Sequence, residues 1–167
     1  MSLNKPEIII VHHTGGTDSN PLADTSHHTF EMVDKYHRSL GWESCGYHVF
    51  IEKNGKTVYN PSRALNYHGG HTSGYNTKSI GICLAGNFDA TLPTTEQTSS
   101  LKKVLEDLKT KYPNVPVVPH RKFANKTCYG NKLSDDWATE LLGKEVKPRS
   151  LKDFTRKELL QELLSRE

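Results

Sequence analysis

Residues 7–12 read Glu-Ile-Ile-Ile-Val-His. Four β-branched apolar residues in succession, with no polar alternation, are typical of a central strand that is buried on both faces. His12 ends this run, at the point where the strand meets the surface. The stretch therefore predicts an α/β fold: a central mixed β-sheet flanked by helices, with a polar side chain leaving the end of its central strand.

The first half of the chain supplies further elements around that strand. Thr25 or Ser26 is suited to cap a helix that Gly41 ends, with helical spacing of the four positions Phe30, Val33, His37 and Leu40. Two strand-like segments, 47–52 and 56–59, follow. Asn54-Gly55 lies between them and supplies the positive φ of a tight turn, so we expect a β-hairpin.

The second half continues the alternation of strands and helices. Ser79 to Ala85 is apolar enough for a buried strand, and Thr94-Thr95-Glu96-Gln97 opens a helix that Pro113 ends. A short strand is predicted at Val115 to Val118. It would place His120 at a strand end, as the first strand does with His12. Ser134 is suited to cap a short helix through Leu142.

The C-terminal residues differ from the rest in composition. A charged linker begins at Lys144, and Thr155 to Glu158 forms a capping-box pattern before a leucine-rich stretch. We expect a catalytic domain over 1–145, and a charged linker with an amphipathic C-terminal helix over 146–167. Packing on the parent domain is the simplest role for that helix; binding to a partner or a membrane is the alternative.

Bulk composition narrows the class of protein. The chain has 167 residues, a net charge of +3 and a pI near 8.7, which is too weakly basic for a nucleic-acid-binding surface. No apolar run approaches the roughly 20 residues that span a bilayer, and no secretory signal is visible at the N-terminus. We expect a soluble, monomeric, single-domain protein that does not bind nucleic acid.

Three cysteines, at positions 45, 83 and 128, make an odd number in a chain without a visible signal. A disulfide framework is therefore not expected. Cys83 lies in an apolar run and is interpreted as a small buried hydrophobic residue. Cys128 shares a loop with His120, and this pair is a candidate for binding a metal ion.

His12, His120 and Cys128 together form a possible metal site. Two imidazoles and one thiolate suit zinc, and three protein ligands leave the fourth tetrahedral position open, as in hydrolytic zinc enzymes. Spacing alone leaves a second interpretation open, because the chain has nine histidines and most histidines are structural or exposed.

Four motifs together resemble one known family. They are VHHTGG (11–16), GWESCGYH (41–48), HGGHTSGYNTKSIGICLAGNF (68–88) and HRKFANKTC (120–128). In this order they are similar to the zinc-dependent N-acetylmuramoyl-L-alanine amidases, most closely the phage lysozyme-type amidases, which share a fold with peptidoglycan recognition proteins. The resemblance covers roughly residues 7–142 and does not include the C-terminal tail.

The resemblance implies an activity and a set of site residues. The activity is zinc-dependent hydrolysis of the bond between N-acetylmuramic acid and L-alanine in peptidoglycan, as a phage endolysin made in the host cytoplasm and acting on the periplasmic wall. One zinc ion would be held by His12, His120 and Cys128, with Tyr47 and Lys126 catalytic. Further candidates for substrate binding are His13, His48, His68, His71, Tyr75 and Asn76.

General chemistry suggests what the two catalytic candidates would do. Lys126 would stabilise the oxyanion, while the Tyr47 phenol would position or deprotonate the attacking water and then help to protonate the leaving amine. One departure from the family pattern follows the cysteine, where Cys128-Tyr129-Gly130 stands in place of Cys-Pro-Gly. A proline would stiffen the ligand loop, and this chain lacks it.

Three other functions remain open from the sequence. The same fold serves as a peptidoglycan-binding module without catalysis, although such relatives usually lack the cysteine ligand. A bacterial amidase of cell-wall recycling or competition would carry the same motifs. A cysteine hydrolase using Cys45 and His48 is the third, but three residues of separation on a strand place the two side chains on opposite faces.

Overall fold

The computed structural model describes residues 3–143, which form one five-stranded sheet in the order β3-β2-β4-β1-β5. The strands are β1 (Ile8–His13), β2 (Val49–Ile51), β3 (Thr57–Tyr59), β4 (Ser79–Leu84) and β5 (Val117–Pro119). The run of β-branched residues that opens the chain thus forms an interior strand, as the sequence predicts.

Strand directions make the sheet a mixed one. β1 pairs in parallel with both β4 and β5, and β2 pairs in parallel with β4. Only β3 is antiparallel, through its hairpin with β2, where Gly55 has a φ of 84°. The carboxyl ends of the four parallel strands meet at one edge, and β1 delivers His12 to that edge, beside Cys83 of β4.

Helices cover both faces of the sheet. They are α1 (Phe30–Ser39), α2 (Thr95–Lys111) and α3 (Trp137–Glu140), with a short 3₁₀ helix at His120–Lys122 after β5. Leu101, Leu105 and Leu108 of α2 pack in the larger hydrophobic cluster with side chains from the strands. Val33 of α1 belongs to a smaller cluster that includes Phe50 and Cys83. The predicted α/β architecture is confirmed, and so is the burial of Cys83.

The capping box predicted for α2 is present. The Thr94 hydroxyl accepts from the backbone N–H of Gln97 at 3.0 Å, and the Gln97 amide oxygen accepts from the backbone N–H of Thr94 at 3.1 Å. The Gln97 side chain also donates to the Ala85 carbonyl at 2.7 Å. This one residue therefore both caps α2 and ties it to the end of β4.

Two helix boundaries differ from the sequence prediction. α1 is capped by Thr29, whose hydroxyl accepts from Met32 N at 3.2 Å, and not by Thr25 or Ser26. Thr25 is instead buried, and its hydroxyl donates to the Gly15 carbonyl at 2.7 Å. The helix expected from Ser134 to Leu142 is reduced to α3, which has no side-chain cap.

Leu40 also departs from its predicted place, because it lies 52% exposed and does not join the buried face of α1.

In residues 3–143 no helix is both long enough and apolar enough to cross a bilayer. The predicted C-terminal helix and the linker before it lie outside the described residues, as does the boundary at 145.

Candidate metal centre and active site

Three side chains from distant parts of the sequence converge at the carboxyl edge of the sheet. His12 comes from the end of β1, His120 from the 3₁₀ helix that follows β5, and Cys128 from the loop beyond it. One ligand atom from each lies within 4.8 Å of the other two. The structure thus brings together the trio that the sequence singled out.

Distances within the trio suit zinc. The Cys128 Sγ lies 3.8 Å from the His12 Nδ1. Tetrahedral ligands at the usual Zn–N and Zn–S lengths of about 2.0 and 2.3 Å lie about 3.6 Å apart. The rings of His12 and His120 have centroids 4.4 Å apart, so the three donors surround one small volume. Two imidazoles and one thiol are a donor set that fits zinc.

Burial favours the uncharged forms of all three side chains, the two neutral imidazoles and the protonated thiol. Desolvation and the neighbouring His71 lower the pKa of His12 well below its usual value, and burial also lowers the pKa of His120. Burial raises the pKa of the Cys128 thiol to about 12. A cation bound here would therefore displace the thiol proton, while both imidazoles already offer lone pairs.

The loop that carries Cys128 is fixed by Arg121. Its guanidinium donates to the Gly130 and Leu133 carbonyls, each at 2.8 Å, and pairs with the Asp135 carboxylate at 2.6 Å. Its backbone N–H donates to the Cys128 carbonyl at 2.6 Å. Arg121 therefore ties the start of the ligand loop to Cys128 through its backbone and to the residues after Cys128 through its side chain.

Tyr129 compensates for the proline that the family pattern leads one to expect. The ring is completely buried, and its hydroxyl donates to the Ser134 and Asp135 carbonyls at 2.8 and 3.0 Å. A side chain anchored at both its ring and its hydroxyl limits the loop by packing and hydrogen bonding, where proline would do so through its fixed φ.

Tyr47 lies beside the trio. Its ring centroid is 5.1 Å from that of His12, and it faces a groove of about 620 Å³ that also contains the three candidate ligands. Burial, with the nearby Cys83 and Cys128, raises the pKa of its phenol well above the usual value. The phenol is therefore protonated and suited to donate a hydrogen bond.

Lys126 lines the same groove from the ligand loop and is exposed. Burial is the main cause of the lowered pKa of His120, and the positive charge of Lys126 contributes to it. An ammonium group within electrostatic reach of a metal ligand is suited to stabilise negative charge that develops beside the trio.

Two of the residues expected to bind substrate, His48 and His13, are buried and hydrogen-bonded to the backbone. His48 is 1% exposed: its Nδ1 accepts from Gly81 N at 3.0 Å, and its Nε2 lies 2.9 Å from the Tyr67 carbonyl. Both ring nitrogens are thus used, so His48 ties β2 to β4 and has no atom left for a ligand. His13 lines the groove, although its Nδ1 accepts from Phe88 N at 3.0 Å.

Most candidate substrate residues in the loop over 68–76 contact other protein groups. The Asn76 amide oxygen accepts from the backbone N–H groups of His71 and Thr72 at 2.9 and 3.0 Å, so Asn76 shapes the loop. The Tyr75 ring packs on Phe123 with centroids 4.1 Å apart. Its companion His68 packs against Tyr67 at 4.5 Å. Neither ring lines the groove, whereas His71 does.

The cysteine-hydrolase arrangement is not present. Cys45 is completely buried, and burial raises the pKa of its thiol to about 11. Both ring nitrogens of His48 are hydrogen-bonded, to Gly81 and Tyr67, so His48 is not available to Cys45 as a base.

Sequence reasoning missed several residues of the site. His37 and Trp42 line the groove and stack on each other at 4.5 Å, and Asp89 accepts from the Thr127 hydroxyl at 2.6 Å. Asp89 also accepts from Asn131 N at 2.7 Å. Of these, only Asp89 had a sequence signal, since it closely follows the end of a buried strand, where functional side chains concentrate.

Comparison with known proteins agrees with this geometry. The family model described as N-acetylmuramoyl-L-alanine amidase matches residues 2–131. The endolysin of Enterobacteria phage K11 is 34% identical over 101 residues, which are 58% of this chain and 66% of that protein. The endolysin of Escherichia phage T7 is 33% identical over 111 residues, which are 63% of this chain and 72% of that protein.

Solved structures give the same grouping. The N-acetylmuramoyl-L-alanine amidase LysC from Clostridium intestinale URNW superposes with a TM-score of 0.69 at 27% identity, over 85% of this chain and 90% of its own. The Apis mellifera PGRP-SA structure shares the fold, with a TM-score of 0.68 at 23% identity, over 87% of this chain and 88% of its own. The chain therefore belongs to the N-acetylmuramoyl-L-alanine amidase family, as a peptidoglycan amidase related to the phage endolysins.

Proposed function

We propose that this amidase cleaves the bond between N-acetylmuramic acid and L-alanine with one zinc ion, held by His12, His120 and Cys128, and that it acts as an endolysin. The observation that carries the proposal is the convergence of these three donors within 4.8 Å in an open groove. Bound zinc supplies Lewis-acid polarisation of an amide carbonyl and acidifies water. The chain's own residues supply the rest.

Tyr47 handles protons in this proposal. Its raised pKa keeps the phenol protonated near neutral pH, so it orients the attacking water by hydrogen bonding. It then passes its proton to the leaving amine as it takes one from the attacking water, so that the phenol is neutral before and after the step. A proton relay of this kind suits the buried phenol better than a free phenolate base, because burial disfavours the phenolate.

Lys126 provides the positive charge at the carbonyl. Amide hydrolysis places negative charge on the carbonyl oxygen in the transition state, and a preorganised ammonium group stabilises that charge. Lys126 is on the ligand loop, which Arg121 holds, so its backbone starts from a fixed position.

Substrate is proposed to enter along the groove beside the ligands. Trp42 is 42% exposed there, and Thr17 and Asp18 form another part of the lining. An aromatic face with neighbouring polar groups suits a sugar ring or a stem peptide. His13 and His71 are the two of the expected substrate residues that line this groove.

The test is hydrolysis of purified Gram-negative sacculi by zinc-loaded and chelator-treated protein. We expect zinc-loaded protein to release stem peptides with a free L-alanine amine, chelated protein to be inactive, and added zinc to restore the activity. Cys128→Ala should abolish both zinc binding and hydrolysis, while Cys45→Ala is the matched control and should keep both.

Three outcomes would contradict the proposal. Hydrolysis that ignores chelation would exclude the metal. Binding to sacculi without release of amines would indicate a peptidoglycan-binding module. Cleavage of small soluble muropeptides but not of intact sacculi would indicate a recycling amidase, since an endolysin must act on the polymer.

The setting is part of the same proposal: synthesis in the host cytoplasm, action on the periplasmic wall, and a monomeric state. Expression in a host with a permeabilised inner membrane should cause lysis, and expression with an intact inner membrane should not. Sedimentation at micromolar concentration should give the mass of one chain, 18.8 kDa.

A further inference from the structure

A chain of hydrogen bonds runs from the candidate ligand His12 back into the fold. The His12 Nε2 lies 3.0 Å from the His71 Nδ1, and the His71 Nε2 lies 3.2 Å from the Ser79 Oγ. The Ser79 Oγ in turn lies 2.7 Å from the Tyr75 carbonyl oxygen. Four groups are thus connected in one line that ends at the proposed metal.

The carbonyl fixes the direction of every bond in this line. A carbonyl oxygen only accepts, so the Ser79 hydroxyl donates its single proton to Tyr75 and its oxygen accepts from His71. The neutral His71 ring then carries its proton on Nε2 and presents a lone pair on Nδ1. That lone pair accepts from His12 Nε2–H, which leaves His12 Nδ1 unprotonated and facing Cys128 Sγ at 3.8 Å.

We propose that His71 is a positioning residue that sets the tautomer and ring orientation of His12, so that Nδ1 is the atom offered to zinc. The proposal rests on the zinc function above. It also changes the expected role of His71, since its ring nitrogens are engaged by protein groups and are not free for substrate.

The surroundings of His71 hold the ring in this position. A Cβ built on Gly81 would lie 2.4 Å from the ring, and one built on Gly69 would lie 2.5 Å from it, so the ring fills space that only glycines leave open. The backbone N–H of His71 donates to Asn76. An imidazole clamped in this way is a stiff support for a metal ligand.

One measurement reads the proposed protonation pattern directly. In metal-free protein labelled with ¹⁵N-histidine, two-bond ¹H–¹⁵N spectra near pH 7.5 distinguish the Nε2–H and Nδ1–H tautomers. We expect both His12 and His71 as Nε2–H. Either residue found as Nδ1–H would overturn the proposal.

Removal of one hydroxyl at a time distinguishes the proposed tautomer of His71, with the proton on Nε2, from the opposite one, with the proton on Nδ1. Thr72 Oγ1 lies 3.0 Å from the His71 Nδ1, so a reversed His71 would donate to it and would accept from Ser79. We expect Ser79→Ala to give His71 and His12 a mixture of the two tautomers and to weaken zinc binding about 10-fold. Thr72→Val is the control and should change neither the tautomers nor the zinc affinity appreciably. The opposite ranking of the two variants would overturn the proposal.

Substitution of His71 itself tests the support of the metal. Zinc affinity, measured by competition with a chromophoric chelator, should fall about 10- to 100-fold in His71→Leu. His71→Asn places an amide oxygen where Nδ1 lies and should recover much of the loss. Equal affinities for the parent and His71→Leu would contradict the role.

The design separates the two proposals. A parent chain that binds no zinc would overturn the proposed function, and the tautomers of the metal-free chain would still decide whether His71 sets the proton of His12. A parent that binds zinc but has His12 as Nδ1–H would keep the zinc function and overturn the role of His71.

Discussion

Tyr47 and Lys126 face one groove with different charges, a neutral phenol and an ammonium group. Tyr47→Phe and Lys126→Met should each lower kcat at least about 10²-fold, because each removes a group that acts in the transition state. Zinc content should stay at one ion per chain. Steady-state kinetics on a muropeptide, with metal analysis of the same samples, checks both expectations.

Matched controls for these variants lie outside the groove. Tyr59→Phe removes a hydroxyl from a tyrosine of β3 that is 48% exposed, and Lys132→Met removes an exposed charge after the ligand loop. Both should keep kcat within a factor of about two, since surface substitutions away from special features change little. A similar loss in a control and in its partner would remove the assigned roles.

His48 predicts a pH dependence of stability. Burial lowers the pKa of His48 from its usual 6.5 to about 4. The unfolded chain therefore takes up a proton as pH falls from 6.5 toward 4, while folded His48 does not. Stability from this group is complete above pH 6.5 and decreases by about 3 kcal/mol by pH 4.

The measurement is chemical unfolding of the parent and of His48→Gln at several pH values. Glutamine keeps one acceptor and one donor but does not titrate, so the variant should lose less stability between pH 6.5 and 4. Other histidines contribute with the same sign, so the parent's slope will not vanish in the variant. Identical slopes would show that His48 titrates normally in the fold.

At the scale of residues, the sequence predicted which candidate donors lie together, but not which side chains hydrogen-bond to backbone groups around them. His12 and Cys128 occur in local patterns, a strand end and a loop shared with a second ligand. The roles of His48 and Asn76 depend on backbone groups of a neighbouring strand and of the loop itself. Such contacts have no local signature, so these structural roles could not be predicted from the sequence.

Among the secondary-structure elements, α2 depends on the residue that caps its N-terminus, Thr94. The Thr94 hydroxyl caps the helix and also donates to the Lys53 carbonyl at 2.8 Å, which links α2 to the β2–β3 hairpin. Thr94→Ala should destabilise the fold by about 1–2 kcal/mol. Denaturant unfolding with an unchanged m-value would measure it.

Ser99→Ala is the control for that prediction. Ser99 is exposed within α2, where alanine is the better helix former, so the free energy of unfolding should stay the same or rise slightly. A comparable loss in both variants would contradict the capping role, because it would show that the Thr94 hydroxyl is no more important to α2 than an exposed hydroxyl within the helix.

The two predicted helix starts show what local patterns decide. Thr94 and Gln97 interact with each other three residues apart, so their capping box was recognisable in sequence. Similar grounds favoured Thr25 or Ser26 as the cap of α1, but the Thr25 hydroxyl is hydrogen-bonded to Gly15 and Thr14, at the end of β1. The Thr25 hydroxyl is therefore engaged in a tertiary contact, and Thr29 caps α1 instead.

For the whole molecule, the proposed zinc ion links the two ends of the described domain. His12 and Cys128 are 116 positions apart in the chain. A ligand that binds only the folded state adds RT ln(1 + [L]/Kd) to the free energy of unfolding, about 4 kcal/mol at a thousandfold excess over Kd. Chelation should therefore lower the Tm by several degrees.

Differential scanning calorimetry with and without chelator tests this linkage. Re-addition of zinc should restore the Tm of the parent, whereas Cys128→Ala should have the same Tm in both conditions. A chelator effect that persists in Cys128→Ala would assign the stabilisation to a different metal site.

The architecture itself was largely predictable from the sequence. An unalternating β-branched run indicated an interior strand, and the Asn54-Gly55 turn indicated the antiparallel hairpin. Strand order could not be predicted in the same way, because β1 pairs with β4 and β5, which follow it by about seventy and one hundred residues. The predicted C-terminal helix falls outside the described residues and stays a prediction.

The separation of the ligands along the chain also governs when activity can arise. A ribosome makes His12 early, but the site has no second or third ligand until His120 and Cys128 have been translated and β5 has paired beside β1. Because this pairing is long-range, it is a late and slow event in folding. With the proposed ligands, we therefore expect an incomplete nascent chain that ends before Cys128 to be unable to hydrolyse a cell wall.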